Sequence, residues 1–296
     1  MVRVPMQAAA AQGDRHMANV KALRLRLASV KSIQRITKTM KMVAAAKLKG
    51  FQTRMMEARP LGDSMQRITE EIPAAEDEVA GTDMTHLIIP ITSDRGLCGG
   101  VNTAVIKASK VLESELKGDN AFAILGNKGE ALLKRTHGEK LKRVITEIYV
   151  SPTSFALASE IAEEVAACQQ YDKAHIVYNR FKSAIAYDTL CDEVDSSDAM
   201  VDRLAAFSEK YEFEDQFTES LHMSDMMQFV LASKIYSRLL ESATSETSAR
   251  MGAMENASKN CGEMIDKITL DMNKARQAVI TQELGEIVSG AAAVGA

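Results

Sequence analysis

NVKALRLRLASVKSIQRITKTMKMVAAAKLKGFQTRMMEAR, residues 19–59, contains no proline and places Val20, Leu23, Leu27, Val30, Ile33, Ile36, Met40 and Val43 three or four positions apart. That spacing marks one face of a helix, so the segment is expected to be a single long helix. The consecutive steps of three from Leu27 to Ile36 make the stripe drift around the helix, which predicts an irregular, bent pairing and not a regular coiled coil. The other end of the chain repeats the pattern with Met254, Ala257, Cys261, Met264, Ile268, Met272, Ala275 and Val279. A second long helix is expected there, with Ser224 or Asp225 as its N-cap.

Between these ends the pattern changes. HLIIPITSD, NAFAILGN, LKRVITEIYV and KAHIVYNRF are short β-rich runs, separated by helix-like VNTAVIKASKVLESELKG and PTSFALASEIAEEVAACQQ. Such alternation favours a mostly parallel sheet covered by helices, with IAYDTLCDEV as a further strand. The expected fold class is therefore α/β, a small domain of mostly parallel sheet inserted between two long terminal helices. Its divisions are an extension over 1–16, a first long helix over 17–72, a linker over 73–84, the α/β domain over 85–210 and a last helix over 211–296. The five prolines, Pro5, Pro60, Pro73, Pro90 and Pro152, are each expected to break or bound a helix.

Composition narrows the function classes. The chain is 46% hydrophobic but only 5% aromatic, with 17 Met and no Trp, which suits long helices better than a compact pocket. No run approaches the roughly 20 apolar residues of a membrane span. Cys98, Cys168, Cys191 and Cys261 form no CxxC pair, and His16, His86, His137, His175 and His222 are isolated in sequence, so neither a metal nor a cofactor is expected.

SDRGLCGGVN, residues 93–102, sits between a strand and a helix, where a glycine loop can bind phosphate. It fits neither GxxxxGK[ST] nor GxGxxG, and a tight turn with close strand–helix packing is the better reading. The net charge is −4, yet Lys21, Arg24, Arg26, Lys31, Arg35, Lys38, Lys41, Lys47, Lys49, Arg54 and Arg59 are opposed in the first helix only by Glu57. Like charges on one helix repel, so this one-sidedness implies an acidic partner. Nucleic acid is the rival, but interleaved aromatics and base-reading Asn or Gln are lacking. The low-charge end, AVITQELGEIVSGAAAVGA, is expected to be helical and surrounded, the alternative being an Ala/Gly tail.

Four stretches carry a resemblance: ITKTMKMVAAAKL at 36–48, SDRGLCGGVN at 93–102, SARMGAMENASKN at 248–260 and KARQAVITQELGEIVSGAAAV at 274–294. Together they resemble the ATP synthase gamma subunits, and Ile280, Thr281, Glu283, Glu286, Gly290 and Ala291 fit that family's pattern residue for residue. The resemblance implies a curved antiparallel helical hairpin, a coiled coil, inside a ring of alternating alpha and beta subunits. It further implies an α/β domain beside the membrane c-ring and the small delta and epsilon subunits of the central stalk. It implies a rotor without catalytic residues, cofactor, metal or nucleic-acid partner, whose turning changes the nucleotide sites of neighbouring chains. By the same resemblance Arg35, Lys38, Met40 and Lys41 face acidic loops of the head, and Arg276, Gln277, Thr281 and Glu283 meet its catch loops. MKMVAAAKL is closer to mitochondrial than to bacterial members, which places the chain on the matrix side of the inner mitochondrial membrane. The alternative is the cytoplasmic side of a bacterial plasma membrane.

Overall fold

The computed structural model describes residues 6–71, 84–149, 153–207 and 220–294. The expected linker over 73–84 falls almost wholly outside them. Two helices dominate: α1, Met6–Glu71, and α6, Ser220–Val294. They contribute to two compact units, Met1–Met42 with Met254–Ala296, and Val43–Ala253.

In the first unit the helices pair antiparallel. Leu27, Val30 and Ile268 form a buried cluster with Leu23, Cys261, Ile265 and Met272 against it. Gln34 donates to the Ser258 carbonyl at 3.5 Å, and Lys41 meets Glu255 at 2.6 Å. Positions therefore rise along α6 as they fall along α1.

This seam corrects the expected drift. The α1 residues turned inward are Leu23, Leu27, Val30, Gln34, Thr37 and Lys41, alternating steps of four and three. That is a heptad spacing, the kind that keeps a seam facing one partner. Ile33, Ile36 and Val43, which produced the apparent drift, are about half exposed. On α6 the seam runs through Met254, Ser258, Cys261, Ile265, Ile268 and Met272, and Met264 points away. Polar side chains occupy several seam positions, where Gln34 and Lys41 bond across the pair, while several of the larger apolar ones lie outside it.

In the second unit five strands form one sheet in the order β3-β2-β1-β4-β5: β1 Thr85–Pro90, β2 Asp119–Leu125, β3 Leu141–Ile145, β4 Lys173–Ser183 and β5 Ala186–Asp195. The first four are mutually parallel and β5 pairs antiparallel to β4, giving the mostly parallel sheet that the alternating pattern implies. Period-two alternation divides its residues between two faces. Ile88, Phe122, Ile124 and Val177 pack under α2, Val101–Glu115, and α3, Asn127–His137. Leu87, Ile89, Ala121, Ala123, Leu125 and Ile176 pack under α4, Phe155–Cys168, α5, Ser197–Phe207, and the start of α6. The sequence reading had omitted α3 and α5.

Three boundary expectations are corrected. Pro60 lies inside α1 and does not end it. Its ring is exposed, so only one main-chain bond is forfeited while Met55, Ala58 and Gly62 stay packed. Ser224 and Asp225 fall within α6, because Met223 and Met227 already belong to its buried face. LKRVITEIYV is a strand only to Ile145, since Glu147 turns with φ 63° and its N–H is taken at 3.0 Å by the Asp94 carboxylate.

Candidate functional site

The proposed partner-binding residues all belong to the first unit, in two groups. Arg35 and Lys38 are exposed on α1 and make no ion pair among the described residues, and Met40 is half buried. Lys41 differs: it is on the seam and pairs with Glu255, so its charge is spent inside the hairpin. Arg276, Gln277, Thr281 and Glu283 are exposed on α6, with Thr281 Oγ1 donating to the Gln277 carbonyl at 2.9 Å. Arg35 lies opposite Ser258, so at 1.5 Å rise per residue the two groups are roughly 30 Å apart along the pair. Ile280 within the second group and Leu284, Ile287 and Val288 beyond it are exposed apolar side chains on a helix that continues to Val294.

Most of the basic face stays in solvent. Lys21, Arg24, Arg26, Lys31, Lys47, Lys49 and Arg54 are exposed like Arg35 and Lys38. Arg59 is the exception, because its Nε donates at 2.7 Å to buried Glu241 and its other end reaches the Phe181 carbonyl at 3.2 Å. The bond to Glu241 raises the Arg59 pKa against the opposing effect of burial.

The SDRGLCGGVN loop is closed on itself. The Ser93 N–H donates to Asn102 Oδ1 at 2.9 Å, and Asn102 Nδ2 returns a bond to Ser93 Oγ at 2.7 Å. Asp94 accepts from the main chain of Asn127, Glu147 and Tyr149, tying the loop to α3 and to the end of β3. Cys98 is buried, and Leu97 and Gly99 both adopt φ near 60°, a turn geometry that glycine takes without strain.

Residues 19–294 match the family model described as ATP synthase. The chain is 43% identical over 288 residues to the mitochondrial ATP synthase subunit gamma of Drosophila melanogaster, covering 96% of this chain and 93% of that one. The chain belongs to the ATP synthase gamma-subunit family. The gamma chain of Paramagnetospirillum magneticum is 38% identical over 298 residues, with coverage of 94% and 100%. A chain of the Tetrahymena thermophila mitochondrial ATP synthase central stalk and c-ring structure shares 31% identity and a TM-score of 0.63, over 75% of this chain and 99% of that one. The fold also matches a chain of the Euglena gracilis mitochondrial ATP synthase at a TM-score of 0.76 and 22% identity, covering 94% and 95%. A gamma subunit is a rotor component of its complex.

Two buried groups of this gamma-family chain escaped the sequence reading. The histidines are not all isolated: His86 on β1 and His175 on β4, 89 residues apart, face each other with Nδ1 and Nε2 3.1 Å apart. The parallel register of β1 on β4 creates the pair, and nothing local to either residue announces it. Among the described residues no group of three or more metal-ligating side chains converges. Lys173, Glu193, Asp172 and Asp195 surround the rings, but burial is the strongest influence and lowers both pKa values, that of His175 to about 4. Folding therefore favours the neutral rings. Stability is fully present above about pH 6.5 and is lost as pH falls towards about 4, because the unfolded chain binds the proton more readily. Between pH 6.5 and 5 the stability of the full chain is expected to fall more steeply than that of a His175→Gln variant. The difference in slope approaches 1.4 kcal/mol per pH unit, read from urea unfolding at each pH, and equal slopes would refute it.

The second group is a polar stripe on α6. Lys234 Nζ reaches the Glu193 carbonyl at 2.7 Å and Thr69 Oγ1 at 3.2 Å. Arg238 meets Asp192 at 2.5 Å and Asp63 at 3.4 Å, and its guanidinium lies 4.9 Å from the Tyr178 ring centroid. Burial is the largest influence and opposes the Arg238 charge, but Asp192, Tyr178 and Asp63 together outweigh it and the pKa is raised. Glu241 accepts from Arg59 and from the Phe181 N–H at 2.9 Å. Ser245 and Ser248 donate to the carbonyls of Asn179 and Ala184.

Proposed function

We propose that this chain is the central shaft of a proton-translocating rotary ATP synthase. It carries twist from the membrane c-ring, which it meets together with the small delta and epsilon subunits, to a head of alternating alpha and beta subunits. The observation that supports this most directly is the antiparallel pairing of the first and last segments of the chain in one unit. A hairpin with Arg35 and Lys38 uncommitted on one helix suits contact with acidic loops. The Arg276 to Glu283 group suits hydrogen bonding to a second set of loops further along, and Lys41 acts through the hairpin. The exposed apolar end, low in charge, suits a bearing in which no charge has to be desolvated at each step.

The chain performs no chemistry of its own in this reading. Supporting it, the polar groups of the SDRGLCGGVN loop are engaged with one another and with neighbouring main chain. No described helix is long and apolar enough to cross a membrane, so attachment to the c-ring would be peripheral. The mitochondrial relatives support the matrix face of the inner membrane. The cytoplasmic face of a bacterial plasma membrane is the alternative that the Paramagnetospirillum magneticum relative supports.

Reconstitution tests the reading. The isolated chain is expected to hydrolyse no ATP, and adding it to membranes holding the remaining subunits restores ATP-driven proton pumping. Reversing two exposed charges, Arg35→Glu with Lys38→Glu, should lower pumping about tenfold, since losing and inverting two exposed pairs costs on the order of 1–2 kcal/mol. The deficit should widen when salt is lowered, which strengthens both the attraction in the wild type and the repulsion in the variant, and shrink when salt is raised. Pumping independent of these charges would remove them from the interface, and ATP hydrolysis by the chain alone would overturn the shaft reading.

A further inference from the structure

Residues Glu241 to Ser248 are almost all polar, yet every one of them is buried, and with Lys234 and Arg238 they make the polar interior of the second unit. Apolar neighbours such as Met227, Leu231, Ile235 and Leu239 already bind this part of α6 to the sheet. Apolar contact is non-directional: interlocked side chains resist separation and large turns, but neighbouring rotational and axial settings are distinguished less sharply than by bonds to fixed points. Buried ion pairs add little net stability over apolar side chains of similar volume, so stability does not explain why Lys234, Arg238 and Glu241 are placed here. What they add is direction. Lys234, Arg238, Glu241, Ser245 and Ser248 follow one another at four- and three-residue steps, and each is bonded to a different point on β4, β5 or the turn between them. The first three also bond α1, through Thr69, Asp63 and Arg59. A slide of a single residue, 1.5 Å, would break every one of these bonds together.

We propose that this stripe is a torsional key. Lys234, Arg238, Glu241, Ser245 and Ser248 are positioning residues that fix the rotational setting of α6, and of α1 through it, within the α/β unit. Twist applied to the sheet then enters the helices instead of being lost as slip. The inference rests on the shaft reading and adds to it the place where torque passes from the inserted domain into the helical pair.

The test uses the assembled complex with its head immobilised and a bead attached to α2 through Lys107→Cys in a Cys191→Ser background. Rotation of the bead on adding ATP establishes the shaft reading independently, and its absence with the otherwise unaltered chain would defeat that reading and the key with it. Two variants then probe the key. Asp192→Leu with Arg238→Met removes a pair without stranding a buried charge. Arg59→Met with Glu241→Gln keeps an acceptor for the Phe181 N–H and serves if the first does not assemble. In rotating complexes of either variant the angular variance of the bead during ATP-waiting pauses is expected to rise at least twofold, and ATP-driven pumping against an imposed gradient to fall severalfold. A purely structural role would lower the yield of complexes but leave the variance of those that form unchanged. That outcome, a variance in the rotating variants equal to that of the otherwise unaltered chain, overturns the proposal.

Discussion

Replacing Arg238 by alanine is expected to destabilise the full chain by about 3–5 kcal/mol, the cost of breaking a buried ion pair and leaving one charge behind. Asp192, buried on β5, would keep its carboxylate with no cation at hydrogen-bond distance, because Asp63 is itself acidic and the other basic groups nearby are committed elsewhere. The Tyr178 hydroxyl would lose its neighbouring guanidinium as well. Burial first, and then Asp192, already raise the Tyr178 pKa, so it stays neutral and cannot supply the missing charge. The diagnostic comparison is with Asp192→Leu plus Arg238→Met. If both charges leave together, stability should return to within about 1.5 kcal/mol of the parent, since apolar replacement of a buried pair is often near neutral. Urea unfolding of the three proteins at pH 7.5 measures both quantities. Equal losses in the single and double variants would mean that side-chain volume, and not the stranded carboxylate, governs this site.

That contrast also bears on what could be read from the residues beforehand. The α/β insertion was legible because parallel strands buried on both faces leave continuous apolar runs, HLIIP and NAFAIL, flanked by turn residues. The two long helices were legible from their periodicity, but the seam between them was not. Choosing the most hydrophobic side chains selected Ile33, Ile36 and Val43, whereas the seam holds Gln34, Thr37 and Lys41, two of which bond across it. A rule that ranks residues by hydrophobicity misplaces such a stripe, because an interface can hold polar side chains that bond across it while apolar ones remain outside. The polar stripe failed for a related reason: Lys234, Arg238 and Glu241 have the spacing of an ordinary solvated face. The signal present was the run SATSETS at 242–248, whose small side chains permit burial on every side of a helix. The His86–His175 pair had no sequence signal at all, since it depends on the register of two strands whose order in the sheet differs from their order in the chain.

Close approach can be tested where it is tightest in the second unit. A methyl group added at Gly62 of α1 would lie 2.5 Å from Ser237 Oγ and 2.6 Å from Ser237 Cβ on α6. Oγ could turn to another rotamer, but Cβ is fixed by the backbone and cannot swing away, so the helices would have to separate. Gly62→Ala should therefore lose about 1–3 kcal/mol to overpacking, even though alanine is favoured over glycine inside a helix by about 1 kcal/mol. Gly62→Val, bulkier and branched, should lose 3 kcal/mol or roughly more. The compensating change is Ser237→Gly, which removes the opposing Cβ, and the Ser237 hydroxyl has no hydrogen-bond partner to sacrifice. Moving the gap from one helix to the other in Gly62→Ala with Ser237→Gly should recover most of the loss. The double-mutant cycle should then show a coupling of about 1–2 kcal/mol, against the few tenths expected of independent sites. Additive losses would mean that the helices part freely at this point. In that case Arg238, whose guanidinium lies 3.4 Å from the same added methyl, would have to hold Asp63 and Asp192 across a gap of variable width, which its directional bonds do not allow.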